Sequence, residues 1–277
     1  MTRIPYLLPI VLVFGAIVAG GYLWWMRQQA TDDVPAERTA ATAPSPAAAA
    51  APASEPAIRH PVAAASQPVP EVDASDSAIA AALDDLVGSK AVLTFLQTDG
   101  FVRRVVATVD NLGRAHAAPR LWPVNPTPGR FGVSGSGDER LVAPDNDKRY
   151  APFVEFVEAI DARRAVELYV RLYPRFQQSY EDLGYPGRYF NDRLVEVIDL
   201  LLETPEPGVP LAILSVEVMG PEAPKRPWVN YEFADPSLEA LAAGQKMLLR
   251  TGPHNERRLK AKLREFRREI VAATPPR

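Results

Sequence analysis

Residues 161–203 have the sequence pattern of two amphipathic helices and read DARRAVELYVRLYPRFQQSYEDLGYPGRYFNDRLVEVIDLLLE. Asp161 is a good N-cap residue, so a first helix is expected over residues 162–183. Pro174 lies inside this helix and is expected to kink or split it. A second helix is expected over residues 189–203, because apolar residues recur along one of its faces. This stretch therefore favours a mainly α fold.

The flanking sequence extends the same pattern over a body of residues 75–271, with one β element. Further helices are predicted from Ser75 or Asp76 onward, from Asp99 to Gly113, and over residues 147–160, 237–249 and 255–270. Alternating apolar residues in 209–219 and 228–233 predict a small hairpin around the loop 220–227. A strand at 140–142 is also considered, within a long loop over 114–146. The prediction is a mainly α domain with a small β-hairpin, followed by a flexible tail at 272–277.

A stretch without charged side chains lies near the amino terminus, where residues 4–26 read IPYLLPIVLVFGAIVAGGYLWWM. About 20 apolar residues in a helix span a bilayer core, so we expect a transmembrane signal-anchor here, behind a short tail of residues 1–3. A cleaved signal peptide is the alternative, although the apolar run is longer than the core of such peptides. The layout predicts a single-pass protein of the inner (cytoplasmic) membrane that contacts the lipid bilayer through residues 4–26. We expect its carboxy-terminal domain in the periplasm, and the reversed orientation stays open.

Between this span and the body, residues 27–74 are dominated by alanine and proline, with eight prolines after residue 30. Such a composition cannot bury enough apolar surface to offset the entropy of ordering. We therefore expect a disordered Ala/Pro-rich linker that tethers the body. Docking of a proline motif is the alternative.

The composition excludes several kinds of chemistry. The chain of 277 residues has no cysteine, three histidines and a net charge of −3. These counts exclude a disulfide scaffold, a thiolate nucleophile and a cysteine-ligated zinc ion, and they disfavour a histidine-rich metal site. A dedicated nucleic-acid binder is normally basic. We predict no metal, no cofactor and no nucleic-acid partner.

Tyrosine, glutamine and charged residues of the body form the candidate ligand-binding site. A tyrosine presents an apolar ring with a polar tip, which suits a sugar or a peptide as well as a protein core. A glutamine on an apolar helix face must be hydrogen-bonded, either to the backbone or to a ligand. Core packing and structural hydrogen bonding are therefore the competing interpretations. The predicted ligand-binding residues are Tyr173, Gln177, Tyr180, Asn191, Asp192, Arg193, Gln245 and Arg250.

A carboxylate stripe follows one face of the second helix. It consists of Asp192, Glu196, Asp199 and Glu203. Arg164, Arg171 and Arg175 on the preceding helix have matching spacing, so an ion network between the two helices is one interpretation. A solvated face and an acid–base pair are the others, since catalysis would require two carboxyl groups with separated pKa values. No catalytic residue is predicted.

The carboxy-terminal helix combines an apolar seam with a basic surface. The seam consists of Leu259, Leu263, Phe266 and Ile270, at steps of four, three and four residues. Ten basic and three acidic residues follow position 245, whereas residues 75–245 hold 17 basic and 25 acidic ones. Docking of this helix onto the acidic body is expected. A homodimer through the helix and contact with an anionic lipid or polymer are the alternatives.

Four stretches carry a family resemblance. They are FVRRVVATVDNL at 101–112, LYPRFQQSYEDLGYP at 172–186, FNDRLVEVIDLLL at 190–202 and YEFADPSLEALAAGQKMLLR at 231–250. Together they resemble a bacterial domain-of-unknown-function family, family 3014. The resemblance implies one amino-terminal span, a variable Pro/Ala linker and a single carboxy-terminal domain. It implies no reaction, no cofactor and no catalytic residue.

These features predict a binding or scaffold module that is tethered in the cell envelope and has an envelope protein as its partner. The alternative is a protein that binds peptidoglycan or another glycan, or hydrolyses it, in a cleft of tyrosines and carboxylates. Whether the chain is an enzyme stays open at this point.

Overall fold

The computed structural model describes residues 57–62, 75–137, 139–208, 210–216 and 231–273. Within these ranges the domain is mainly helical and has two small antiparallel strand pairs, so the predicted mainly α body is confirmed. Residues 4–26 and most of the predicted linker 27–74 lie outside the described residues. None of the helices in the described ranges is long and apolar enough to cross a bilayer.

Nine helices are present in the described ranges. They are α1 (Asp76–Val87), α2 (Ser89–Phe95), α3 (Phe101–Leu112), α4 (Asn146–Ala159), α5 (Ala162–Asp182), α6 (Phe190–Leu202), α7 (Pro236–Glu239), α8 (Ala243–Arg250) and α9 (Pro253–Ala272). A 3-10 turn covers Pro119–Leu121. The first strand pair joins β1 (Val133–Ser134) to β2 (Leu141–Val142), and the second joins β3 (Ile213–Ser215) to β4 (Tyr231–Phe233), with Ile213 opposite Phe233.

Local capping explains where the first and the longest helix begin. The Ser75 hydroxyl accepts a hydrogen bond from the Ala78 amide (3.2 Å), and the Asp161 carboxylate accepts one from the Arg164 amide (2.9 Å). Both caps satisfy amides that have no partner inside the helix. However, α5 continues as one helix through Pro174, so the predicted split does not occur.

The helix predicted over residues 237–249 was wrong, because two helices, α7 and α8, occupy this region. Ala242 between them has extended backbone angles, with φ −61° and ψ 152°. Its amide donates to the Gln245 side-chain oxygen (3.3 Å), which caps the start of α8. The break therefore comes from a glutamine cap in the middle of a helical pattern.

The helices α5 and α6 form the centre of the core, with α3 on one side and α9 on another. Phe190, at the start of α6, is fully buried and stacks on Phe176 of α5 with ring centroids 5.8 Å apart. The predicted apolar seam of α9 is also packed inside the domain. Leu259 and Leu263 lie against the main core, and Ile270 is buried in a second cluster with Val195 and Ile198.

The ion network that was one interpretation of the charged stripes does not form between α5 and α6 among the described residues. Within the described part of the chain, Arg164 of α5 pairs with Asp85 of α1 (3.0 Å), and Asp199 of α6 pairs with Arg267 of α9. The docking expected of the basic helix α9 on the acidic body is present, since Arg258 also pairs with Glu158 of α4. The charged stripes thus join α5 and α6 to different neighbours.

A buried ionic cluster fixes α9 to the end of α6. The Lys260 side chain is 3% exposed, and its ammonium lies 3.2 Å from the Glu256 carboxylate and 3.1 Å from that of Glu206. The same ammonium donates to the carbonyl oxygen of Thr204. Glu256 is 2% exposed, and burial raises its pKa above the ordinary value although Lys260 opposes this shift. The cluster combines two desolvated charges that depend on each other.

Candidate functional site

The start of α6 is held by side chains of α5 rather than by an N-cap residue. Tyr189 precedes the helix and makes no side-chain capping bond. Instead, the side-chain oxygen of Gln177 accepts a hydrogen bond from the backbone N–H of Phe190 (2.9 Å). The Tyr173 hydroxyl accepts one from the backbone N–H of Asn191 (3.4 Å). Gln177 also donates to the Arg188 carbonyl (2.8 Å) and to the Glu181 carboxylate (2.7 Å). Tyr173 and Gln177 therefore position the first turn of α6.

This first turn binds a short segment of the predicted linker. The docked segment, residues 57–62, reads AIRHPV and lies against Tyr189, Asn191 and Asp192, which we call the clamp. The two Asp192 carboxylate oxygens accept hydrogen bonds from the Arg59 amide (2.9 Å) and the His60 amide (2.6 Å). Linker residues 57–62 therefore contact the body.

The remaining clamp contacts also go to the main chain. The Asn191 side-chain amide donates to the His60 carbonyl (2.9 Å), and the Tyr189 hydroxyl accepts from the Val62 amide (2.8 Å). His60 thus both donates to the clamp and accepts from it, and the segment bends at Arg59 and His60. The clamp recognises main-chain groups, and three of its four bonds use a backbone N–H.

Asn191 is oriented toward the segment by its surroundings. It is fully buried, and its carbonyl oxygen accepts from the Tyr169 hydroxyl (3.0 Å). Its side-chain NH₂ therefore points to the docked segment, and the His60 carbonyl is its acceptor. A buried amide that loses its partner costs free energy, so the clamp is built for an occupant.

A charged pocket of about 280 Å³ lies beside the docked segment, between α3, the end of α5 and α6. Asp110 lines this pocket and is 4% exposed. Its carboxylate forms ion pairs with Arg114 (2.7 Å) and Arg193 (3.5 Å). The Tyr185 hydroxyl donates to the Asp110 carboxylate (3.2 Å). Arg193 also forms an ion pair with the exposed carboxylate of Glu196 (2.8 Å). The buried charge of Asp110 is therefore compensated by two cations and a hydroxyl.

Gly113 makes room for the Arg193 guanidinium. A Cβ atom at position 113 would lie 2.7 Å from the Arg193 Nη2 atom, which is closer than side chains approach one another. The same nitrogen donates to the Asp110 carbonyl (3.0 Å). A side chain at position 113 would therefore move Arg193 away from Asp110.

A known family model matches the part of the chain that contains this site. The family model described as a protein of unknown function (DUF3014) matches residues 101–267, which include the clamp and the charged pocket. The chain belongs to this family. No curated protein and no solved structure matches the DUF3014 chain.

Three tyrosines of the DUF3014 site have a raised pKa. Burial raises the pKa of Tyr169 and Tyr173 well above the ordinary value for tyrosine. The pKa of Tyr180 is raised as well, first by burial and then by the negative charge of Asp110. These hydroxyls act as neutral hydrogen-bonding groups, and their rings pack in the core, where Tyr180 stacks on Tyr185 at 4.6 Å.

Two of the predicted site residues lie elsewhere in the DUF3014 domain. The Gln245 amide donates to the Leu200 carbonyl (3.0 Å) at the far end of α6. Arg250 donates to the Tyr231 carbonyl (3.0 Å), and its guanidinium lies over the Phe233 ring at 5.1 Å. Burial lowers the pKa of Arg250. The other six predicted residues lie together around the first turn of α6.

Three parts of the site were absent from the predicted set. Neither Tyr189 nor Asp110 was named among the predicted binding residues. The docked segment lies in a stretch assigned to the linker. Its one local signal is the His60-Pro61 pair, since a residue before proline prefers extended backbone.

Proposed function

We propose that the DUF3014 domain is a peptide-binding module that holds a segment by its main chain at the first turn of α6. The observation that carries the proposal is the pairing of both Asp192 oxygens with the Arg59 and His60 amides. Hydrogen bonds to a charged acceptor are worth about 1.5–3 kcal/mol each. Main-chain hydrogen bonds are a recurring source of affinity in peptide binding.

The wider context of this module is also a proposal. Residues 4–26 carry no charge and residues 27–74 are rich in alanine and proline, which supports a membrane anchor and a tether. With this layout the module acts as a scaffold or adaptor in the cell envelope, on the periplasmic side of the inner membrane. The glycan alternative has less support, because Tyr173 and Gln177 hydrogen-bond to each other and to the start of α6.

We test the proposed function by measuring peptide binding to a full chain in which the docked segment itself binds the clamp less tightly. The His60→Pro variant lacks an amide that donates to Asp192. A fluorescein-labelled peptide of residues 55–65, EPAIRHPVAAA, is titrated with this variant, and fluorescence anisotropy reports binding. We expect saturable binding.

A second substitution in the same chain identifies the site. Asp192→Asn replaces one acceptor oxygen by an NH₂ donor that faces a backbone amide, so we expect affinity to fall about tenfold to hundredfold. Glu203→Gln is the matched control, because Glu203 is an exposed carboxylate that follows the same helix. Equal losses from both substitutions, or no loss from either, would refute the clamp as the binding site.

A further inference from the structure

We propose that the DUF3014 clamp is self-occluded: its partner is a cation–x–Pro–aliphatic segment of another protein, and residues 59–62 compete with that partner. This inference rests on the proposed function and adds the class of ligand and its regulation. The docked segment, Arg59-His60-Pro61-Val62, is itself a member of the class.

Proline fits position 61 because the clamp does not use the backbone N–H there. The clamp contacts the amides of residues 59, 60 and 62 and the carbonyl of residue 60. Proline has no N–H to satisfy, and it restricts both itself and the preceding residue to extended backbone. The segment therefore loses less freedom when it docks than a segment without proline.

The side chains on either side of the proline also contact the domain. Val62 packs against the main hydrophobic core cluster, so an aliphatic residue is preferred at this position. The Arg59 guanidinium lies 4.0 Å from the Glu196 carboxylate, with Asp192 adjacent to its backbone. A cation at this position is attracted to two carboxylates, and an acidic residue would be repelled.

Covalent attachment gives the docked segment an advantage over any free peptide. Only residues 63–74 separate Val62 from Ser75, which caps α1. A connection of only twelve residues corresponds to an effective concentration on the order of millimolar. For a segment with an intrinsic Kd of about 0.1 mM, occupancy by the chain's own residues weakens the apparent affinity for a competitor about tenfold. The partner must therefore bind more tightly than residues 59–62 or be present at high local concentration.

Four full-length chains and one probe test the competition. The probe is the labelled peptide of residues 55–65, and the chains are the wild type, His60→Pro, Val62→Pro and Ala65→Pro. Ala65→Pro is the matched control, because it adds a proline to the same linker outside the docked segment. Val62→Pro removes a different clamp contact and serves as a second release variant.

We expect His60→Pro and Val62→Pro to bind the probe about tenfold more tightly than the wild type, and Ala65→Pro to match the wild type. Equal affinity in all four chains would overturn self-occlusion while leaving peptide binding intact. No binding to either release variant at millimolar peptide would instead refute the proposed function. The two failures are therefore distinguishable.

Altered probes test the class of ligand on the His60→Pro chain. A Val62→Asp peptide and an Arg59→Glu peptide are expected to bind at least fivefold more weakly than the native one. A Pro61→Ala peptide is expected to lose about twofold to fivefold, because the free peptide gains conformational freedom. Native-like affinity for the Val62→Asp peptide would overturn the assigned class.

Discussion

Replacing Lys260 by methionine tests the buried ionic cluster that joins α9 to the end of α6. Methionine keeps most of the apolar stem of lysine but removes the ammonium that lies 3.2 Å from Glu256. Glu256 is 2% exposed, so its carboxylate would remain buried without a cation. Breaking a buried pair in this way typically costs about 3–5 kcal/mol. For a domain of about 200 residues this loss lowers Tm by roughly 10 °C.

The loss should also depend on pH, with a defined sign. Burial raises the pKa of Glu256 from its ordinary value of 4.5, and Lys260 opposes this shift. A group with a raised pKa in the folded state stabilises the fold below its unfolded pKa, and this stabilisation is lost as pH rises through the folded pKa. Removing Lys260 raises the pKa of Glu256 further, so the destabilisation should be largest at pH 7 and smaller near pH 5.

Thermal unfolding at pH 7 and pH 5 measures both effects. Arg264→Met is the control, because it removes an exposed cation from the same helix. The double variant Glu256→Gln, Lys260→Met should recover much of the lost stability, since no unpaired buried charge remains. A loss below about 1 kcal/mol at pH 7, or an equal loss at both pH values, would contradict the role assigned to the cluster.

Three other results are expected. Gly113→Ala should lower Tm by no more than a few degrees, because its Cβ displaces only the flexible end of the Arg193 side chain and the φ of −82° suits any residue; a larger loss would contradict this account. Asp161→Ala should cost about 1 kcal/mol in urea unfolding through the lost cap of α5. A carboxy-terminal reporter active only outside the cytoplasm should give a signal in the full chain, and a cytoplasmic reporter signal would reverse the predicted orientation.

The helices that were predicted well are those whose signals are local. Asp161 and the apolar spacing located α5 within one residue at each end, and the same spacing located α6. The break between α7 and α8 was missed because its glutamine cap lies inside a helical pattern, and close tertiary packing adjoins it. Gly244 packs so closely on α6 and α3 that an added Cβ would lie 2.6 Å from Leu201, and no local pattern encodes that approach.

The site was predicted in part for a related reason. Six of its residues lie close together in sequence on α5 and α6, so helical spacing alone groups them. Gln245 was predicted together with them but lies at the other end of α6, because spacing does not show which end of a neighbouring helix a side chain contacts. The docked segment was hidden because its contacts come mainly from backbone groups, which are the same for every residue except proline.

Recognition through the main chain has a consequence for how this chain can vary. Most substitutions in the stretch between the docked segment and Ser75 leave every clamp hydrogen bond intact, whereas insertions and deletions change how often the segment returns to Asp192. Doubling these twelve residues would lower the effective concentration about threefold by the −3/2 power of length. The number of residues in this stretch, more than their identity, sets how often the chain's own docked segment occupies the DUF3014 clamp.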